Sequence, residues 1–407
     1  MHEKNVKAGL EMLWREFGEK RVQAAVAAVK KFSVEVPSWV FGRFGGGRFG
    51  GYMPPGGART IEEKLDDAAF VHHLTGATPA VAMHTLWDFS SDGRAADLDV
   101  ARRVSQAARQ RGLQVGAVNP TYFLEGSYRG SMSADEKGTV QRYIEQTVVS
   151  GAIARQYGNG MVTLWFPDGS AYPGQRQLRR AFETLINACV ACRRRIPNTV
   201  RILIEYKVFE PGTYSTTVPD WGAARMIAQA MGGNTGVLID MGHHQPGTNV
   251  EQIVAMLIAD GMPGGFHFNT RYAADDDHAV EPSPQMARIF YELVEGNVIA
   301  NRDRTRNWGY MIDQCSGREN RMRAVLHSVD SLQQSLAKAM LVDTTKLRAL
   351  QDADRIIPAN RLFNDAIMNC DVRPIVAQAR LEKGLPVDPV VAYTESGYQE
   401  RIERARG

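Results

Sequence analysis

The stretch Val200-Arg201-Ile202-Leu203-Ile204-Glu205-Tyr206-Lys207 decides how this chain is read. It has the pattern of an apolar β-strand that ends in a carboxylate and, two residues on, an ammonium. Side chains two apart on a strand share a face, so Glu205 and Lys207 project together from the end of a buried strand. A charge in that position is costly unless it is paired or holds a metal ion. The rest of the chain can be read as supplying its partners.

Outward from this strand, helical and strand patterns alternate. Further strands are expected at Ser38–Phe41, Ala80–His84, Gln114–Val118, Met161–Trp165, Gly236–Asp240, Gly265–Phe268 and Trp308–Asp313. Amphipathic helical patterns separate them. One opens at Thr60 with Glu63 three residues on, a capping box. Eight strands alternating with helices over roughly 280 residues are the signature of an α/β fold of the (β/α)8 barrel type. The alternative is an open doubly wound sheet, but no Gly-x-Gly-x-x-Gly turn follows a strand. Residues 1–35 form an N-terminal helical segment, 36–317 the catalytic barrel and 318–407 a C-terminal helical extension expected to pack on a neighbouring subunit. Between Phe41 and Gly57, eight of seventeen residues are glycine. No Gly-Lys-Ser/Thr follows, so this is not a phosphate loop. Its Phe44, Phe49 and Tyr52 suit a lid or an arm onto a neighbour better than a plain linker.

Composition narrows the function. The net charge is +3 over 407 residues, too small to favour nucleic acid or an anionic membrane. The short run Arg193-Arg194-Arg195 sits where a helix ends and cations suit the helix dipole. Four cysteines make no disulfide framework. Cys189 and Cys192 fall in a helical pattern without the second pair that zinc needs. The charged N-terminus lacks the apolar segment of a secretory signal. No run approaches the ~20 apolar residues of a membrane span. The expectation is a cytoplasmic enzyme with a small-molecule substrate.

Barrel enzymes gather their chemistry at the C-terminal ends of strands. Those ends carry His84 with Trp87 and Asp88, then Trp165 with Asp168, then Glu205 and Lys207. Asp240 with His243 and His244 follows, then His267 with Asn269 and the run Asp275-Asp276-Asp277, and finally Asp313. Taken singly, each has an ordinary explanation. A carboxylate after a strand commonly caps the next helix, and an acidic run is commonly a solvated turn. Jointly, carboxylates and imidazoles on four successive strands point to one axis, where they could not all stay ionised without cations. Such donors suit Mn²⁺, Mg²⁺ or Co²⁺. Their number exceeds the needs of one ion, so two ions sharing Glu205 are expected. Trp87, Trp165 and Phe166 suit the apolar face of a sugar ring. Only Lys207 and Arg271 could clamp a phosphate.

The set Ile-Glu205-Tyr-Lys207, Ile-Asp240-Met-Gly-His243, Phe-His267-Phe-Asn269, Asp275-x-Asp277 and Ile-Asp313 resembles the L-rhamnose isomerases. More broadly it resembles the xylose-isomerase-like barrels, over roughly residues 36 to 315. The resemblance implies an aldose–ketose isomerase acting on L-rhamnose, with broad aldose specificity and hydrogen transfer between C1 and C2. It implies one ion on Glu205, Asp240, His267 and Asp313, and a catalytic ion on Glu205, His243, Asp275 and Asp277. Mn²⁺ is the expected metal, with Mg²⁺, Co²⁺ or Zn²⁺ as substitutes. His84, Lys207 and Asp313 would be catalytic or substrate-binding, and Trp165 an aromatic wall. The Gly-rich loop would reach a neighbouring subunit's site in a homotetramer. Direct hydride shift is the expected route; an enediol route would need a base, for which Asp313 or a water on the ion is the candidate. A ketose 3-epimerase of the same superfamily would place two opposed glutamates where this chain has Glu205 and Asp313. A metal-dependent phosphodiesterase would want more histidines and a basic surface.

Overall fold

The computed structural model describes residues 3–43, 54–210, 214–270, 278–300, 307–315 and 317–407. Eight parallel strands run in chain order around one sheet: Val36–Pro37, Ala80–His84, Gln114–Asn119, Met161–Trp165, Arg201–Glu205, Thr235–Asp240, Gly264–Phe268 and Trp308–Ile312. A parallel bridge between Glu35 and Met311 joins the first strand to the last and closes the barrel. Sequential parallel strands joined by helices leave this closure as the way to remove sheet edges.

Burial along the Arg201–Glu205 strand explains the barrel. Ile202 and Ile204 face the surrounding helices and belong to the large outer core. Leu203 faces the lumen, where it packs with Ala82, Ala117, Met161, Leu238 and Met311. Glu205 continues the lumen-facing row two residues beyond Leu203. The strand ends lie level with one another. Trp165 pairs with Glu205, and His267 with Asp240. Level ends on one side of a closed barrel bring residues far apart in sequence onto one axis.

The helix Ile61–Thr75 is capped as expected, with the Thr60 side chain accepting from Glu63 N and Gly76 left-handed at the C-cap. The helix Arg321–Leu341 follows the eighth strand and lies against Pro284–Glu295 and Ile61–Thr75, completing the helical ring. The N-terminal segment forms helices Val6–Phe17 and Glu19–Lys31. Beyond Leu341 the chain is helical to Arg406. Arg193 donates to the carbonyls of Ile196, Pro197 and Val200, and Arg195 pairs with Glu145. The arginine run therefore terminates its helix. Cys189 and Cys192 are buried in that helix.

Two features differ from the sequence reading. The expected strand Ser38–Phe41 is a single helical turn, and the strand is Val36–Pro37. The ladder to the eighth strand runs through Glu35, whose N–H and C=O are taken by Tyr310 and Ile312. The next residues are free to turn, and Gly42 N closes the turn on Trp39 O. A small antiparallel sheet of Gly169–Ser170, Phe209–Glu210 and Tyr214–Thr216 also lies over the barrel mouth. Pieces of two or three residues carry too little alternation to be read from sequence.

Candidate active site

The barrel mouth holds a cavity of about 380 Å³. Its floor is Glu205, His267, Asp313 and His243, and its walls are largely aromatic. Glu205, Asp240, His267 and Asp313 each offer one donor atom, and these atoms all lie within 4.8 Å of one another. Glu205 Oε1 is 3.3 Å from the Nδ1 of both His267 and His243. The same nitrogen of His267 is 3.5 Å from Asp313 Oδ2 and 3.7 Å from Asp240 Oδ2. Three carboxylates thus surround one imidazole in a buried place.

The electrostatics of that cluster call for a cation. Burial by itself lowers the pKa of His267, yet Glu205, Asp313 and Asp240 outweigh it and push the value up to about 10. One proton on one ring is a weak answer to three carboxylates in a low-dielectric site. Oxygen donors with one imidazole, and no thiolate among them, fit a hard or borderline divalent ion. The ligands are also oriented from behind. Asn269 Nδ2 and Gly242 N donate to Asp240 Oδ1 at 3.0 and 2.8 Å. Trp39 Nε1 donates to Asp313 Oδ1 at 2.9 Å. Such contacts fix the geometry in which ligands meet an ion. His243 Nδ1 lies 2.9 Å from Tyr206 O, and its Nε2 lies 3.9 Å from Asp240 Oδ1. Asp275 and Asp277, expected to join His243 at a second ion, lie outside the described residues, as do Arg271 and the aromatics Phe44, Phe49 and Tyr52.

His84 and Lys207 line the same cavity. His84 Nδ1 is 3.0 Å from Thr121 Oγ1, and its ring packs on Trp87 at 3.9 Å and edge-on to Trp39 at 5.2 Å. Burial lowers its pKa to about 3, so it is neutral near pH 7 and serves as a hydrogen-bonding group. Lys207 Nζ sits 5.6 Å from the centre of the Trp165 ring and 3.7 Å from Glu210 Oε2. Phe123 joins Trp87 and Trp165 edge-to-face at 5.6 and 5.7 Å.

Four expected strand-end groups do other work. Phe166 does not reach the cavity; it stacks on Tyr122 at 5.1 Å within the outer core. Trp165 at the strand end faces the lumen, so its successor faces outward. Asp168 is buried and accepts from the N–H and hydroxyl of both Ser131 and Ser133. Asp88 accepts from Ser38, Lys64 and the backbone of His84. His244 is buried beside the Tyr206 hydroxyl. Sequence reasoning missed Trp39, Phe123, Glu210 and Tyr214 as lining residues. Trp39 and Phe123 were legible as aromatics near strand ends, whereas Glu210 and Tyr214 arrive through the small sheet.

Comparison with known proteins gives the family and the fold. The family model described as L-rhamnose isomerase matches residues 39–367. A probable sugar isomerase of Mesorhizobium japonicum is 34% identical over 414 residues, covering 98% of this chain and 93% of the relative. One from Rhizobium meliloti is 35% identical over 394 residues, covering 95% and 89%. Among solved structures, a xylose isomerase domain protein from Alicyclobacillus acidocaldarius superposes with a TM-score of 0.50 at 15% identity. That match covers 76% of this chain and 99% of the other, and supports the barrel fold.

Proposed function

This chain belongs to the L-rhamnose isomerase family and is an aldose–ketose isomerase, and we propose that it interconverts L-rhamnose and L-rhamnulose with divalent cations, accepting related aldoses. One observation carries the metal dependence: the donor atoms of Glu205, Asp240, His267 and Asp313 converge within 4.8 Å of one another at the base of the cavity, with Asp240 buried beneath it. These four residues would hold one ion. Glu205 and His243, with Asp275 and Asp277, would hold a second, and Mn²⁺ is the proposed metal, with Mg²⁺, Co²⁺ or Zn²⁺ as substitutes. Bound ions would polarise the sugar carbonyl and make the adjacent hydroxyl more acidic.

The chain's own residues bind and orient the sugar. Trp39, Trp87, Phe123 and Trp165 present apolar faces that suit ring carbons and the methyl group of a 6-deoxy sugar. They also keep water from the reacting carbons. Neutral His84 offers a hydrogen bond to the opening end of the chain. Lys207 donates to the carbonyl oxygen at C1 and stabilises charge that develops there. Lys207 and Glu210 lie together in the cavity wall, which disfavours a phosphorylated substrate. Hydrogen then passes with its electron pair from C2 to C1: the C2–H bond breaks as the C1–H bond forms, the proton of the C2 hydroxyl leaves and O1 takes one up, and no base at carbon is needed. Asp313, held by Trp39, would serve as a metal ligand on this route and not as a base. The proposed form is a cytoplasmic homotetramer, to be checked by light scattering. Among the described residues, no helix is long and apolar enough to cross a membrane.

The test is ketose formation from a panel of aldoses, with chelated protein and after Mn²⁺ is restored. Turnover that is fastest on L-rhamnose and depends on the metal is expected. Turnover unaffected by chelation, or absent on every aldose, sinks the proposal. Running the reaction in D₂O separates the routes, because full deuterium incorporation at the transferred position excludes the direct shift.

A further inference from the structure

Asp88 ends the one-turn helix Thr85–Asp88 directly after the second strand, and its carboxylate is almost wholly buried. Oδ2 accepts from Ser38 Oγ at 2.6 Å and from His84 N at 2.9 Å. Oδ1 accepts from Lys64 Nζ at 2.7 Å. Lys64 comes from the helix Ile61–Thr75, and its side chain is 8% exposed. A buried ion pair of this kind is a poor source of net stability, because desolvation offsets most of the attraction. Its geometry is the informative part. Of the two donors on Oδ2, one is the backbone of His84 and the other is the hydroxyl of Ser38, the residue before Trp39, and His84 and Trp39 line the cavity side by side.

We propose that Asp88 is a positioning residue for the isomerase site, holding His84 through its backbone and Trp39 through the neighbouring Ser38. Ser38 opens the turn that carries Trp39, and Trp39 in turn donates to Asp313. His84 and Trp39 touch each other ring to ring. A single carboxylate therefore sets the separation of the first and second strand ends, the orientation of a substrate-facing imidazole, and the donor to a metal-binding carboxylate. With Lys64 on Oδ1 and Ser38 and His84 on Oδ2, that carboxylate accepts three donors at once. The kinetic part of this inference rests on the isomerase reading, and the structural part does not.

The test uses the full chain labelled with 5-fluorotryptophan, with the Trp39 resonance assigned through Trp39→Phe. Ser38→Ala removes one donor and leaves the ion pair intact, so it keeps the fold. Lys64→Met with Asp88→Asn removes the pair without stranding a buried charge. In metal-free protein the Trp39 fluorine resonance is expected to shift in both variants, while the Trp165 resonance stays in place. In the Mn²⁺-loaded enzyme kcat/KM on the best aldose falls about 10- to 100-fold in the double variant, mainly in kcat, with Mn²⁺ affinity lowered less than the tenfold expected of Trp39→Phe, because the Trp39 donor is displaced and not removed. A Trp39 resonance that does not move in either folded variant overturns the proposal. So does an unchanged kcat/KM, or a Mn²⁺ affinity that falls in step with the rate. If wild-type protein turns over no aldose, the isomerase reading fails, and the fluorine spectra still decide the role of Asp88.

Discussion

Trp39 Nε1 donates a 2.9 Å hydrogen bond to Asp313 Oδ1, across 274 residues of chain. It ties the end of the first strand to the end of the eighth, at the seam where the barrel closes. One oxygen of Asp313 is thereby committed, and the other faces His267. Trp39→Phe keeps the aromatic wall and removes the donor. The expected result is a weakening of Mn²⁺ binding by about tenfold, with a smaller change in KM, measured by calorimetric titration and steady-state kinetics.

Glu205 Oε1 stands equidistant from His243 and His267. Glu205→Gln should therefore weaken both proposed metal sites together. His243→Asn should empty only one. Counting bound Mn²⁺ per chain by atomic emission after dialysis distinguishes the two variants, and equal loss of one ion in both would contradict the shared carboxylate.

Metal binding couples to stability, because the clustered carboxylates repel one another without a cation. At a hundredfold excess over Kd, Mn²⁺ should stabilise the fold by about 2.7 kcal/mol per site. A thermal melt with and without chelator reads this as a Tm that falls on removing the metal. Glu205→Gln should show little further effect of the chelator.

Glu35 sits at the opposite, N-terminal end of the lumen, hydrogen-bonded by Ala117 N and Asn159 Nδ2. A Cβ at position 116 would lie 2.1 Å from its carboxylate, so only Gly116 leaves room for it. Burial raises its pKa from the ordinary 4.5 to about 7, against the opposing hydrogen bonds. The folded-state value exceeds the unfolded one, so its contribution is full below pH 4.5 and is lost as pH rises through about 7. Across that window wild type should lose about 3 kcal/mol relative to Glu35→Gln. Urea titrations at a series of pH values, read as the difference between the two proteins, check this.

Asp168 tests the distinction between a strand-end carboxylate that binds metal and one that holds a loop. Asp168→Ala leaves four donors from Ser131 and Ser133 without their acceptor. A stability loss of about 3 kcal/mol is expected, with Mn²⁺ affinity unchanged. Denaturant melts and a metal titration of the same sample separate the two effects.

Seven of the eight strands, and the lumen-facing Glu205, Asp240, His267 and Asp313, follow from local pattern alone. Strand periodicity is a property of neighbouring residues, so it tells which side chains enter the lumen and which strand ends carry ligands. The first strand was misplaced because Ser38-Trp39-Val40-Phe41 has strand-like composition. The ladder that decides the matter is made with Tyr310 and Ile312, far along the chain. That displacement also hid Trp39 as a wall of the site.

The sequence by itself determined the barrel and the row of acidic and imidazole groups at its mouth. Tertiary structure decided what each of those groups does. Asp88, Asp168 and Asp313 look alike in sequence, each a carboxylate at or just beyond a strand end. Lys64 neutralises the first, Ser131 and Ser133 satisfy the second, and the third faces His267. Whether a buried carboxylate is available to a metal ion depends on which donors reach it, and those donors come from segments that only the closed barrel brings together.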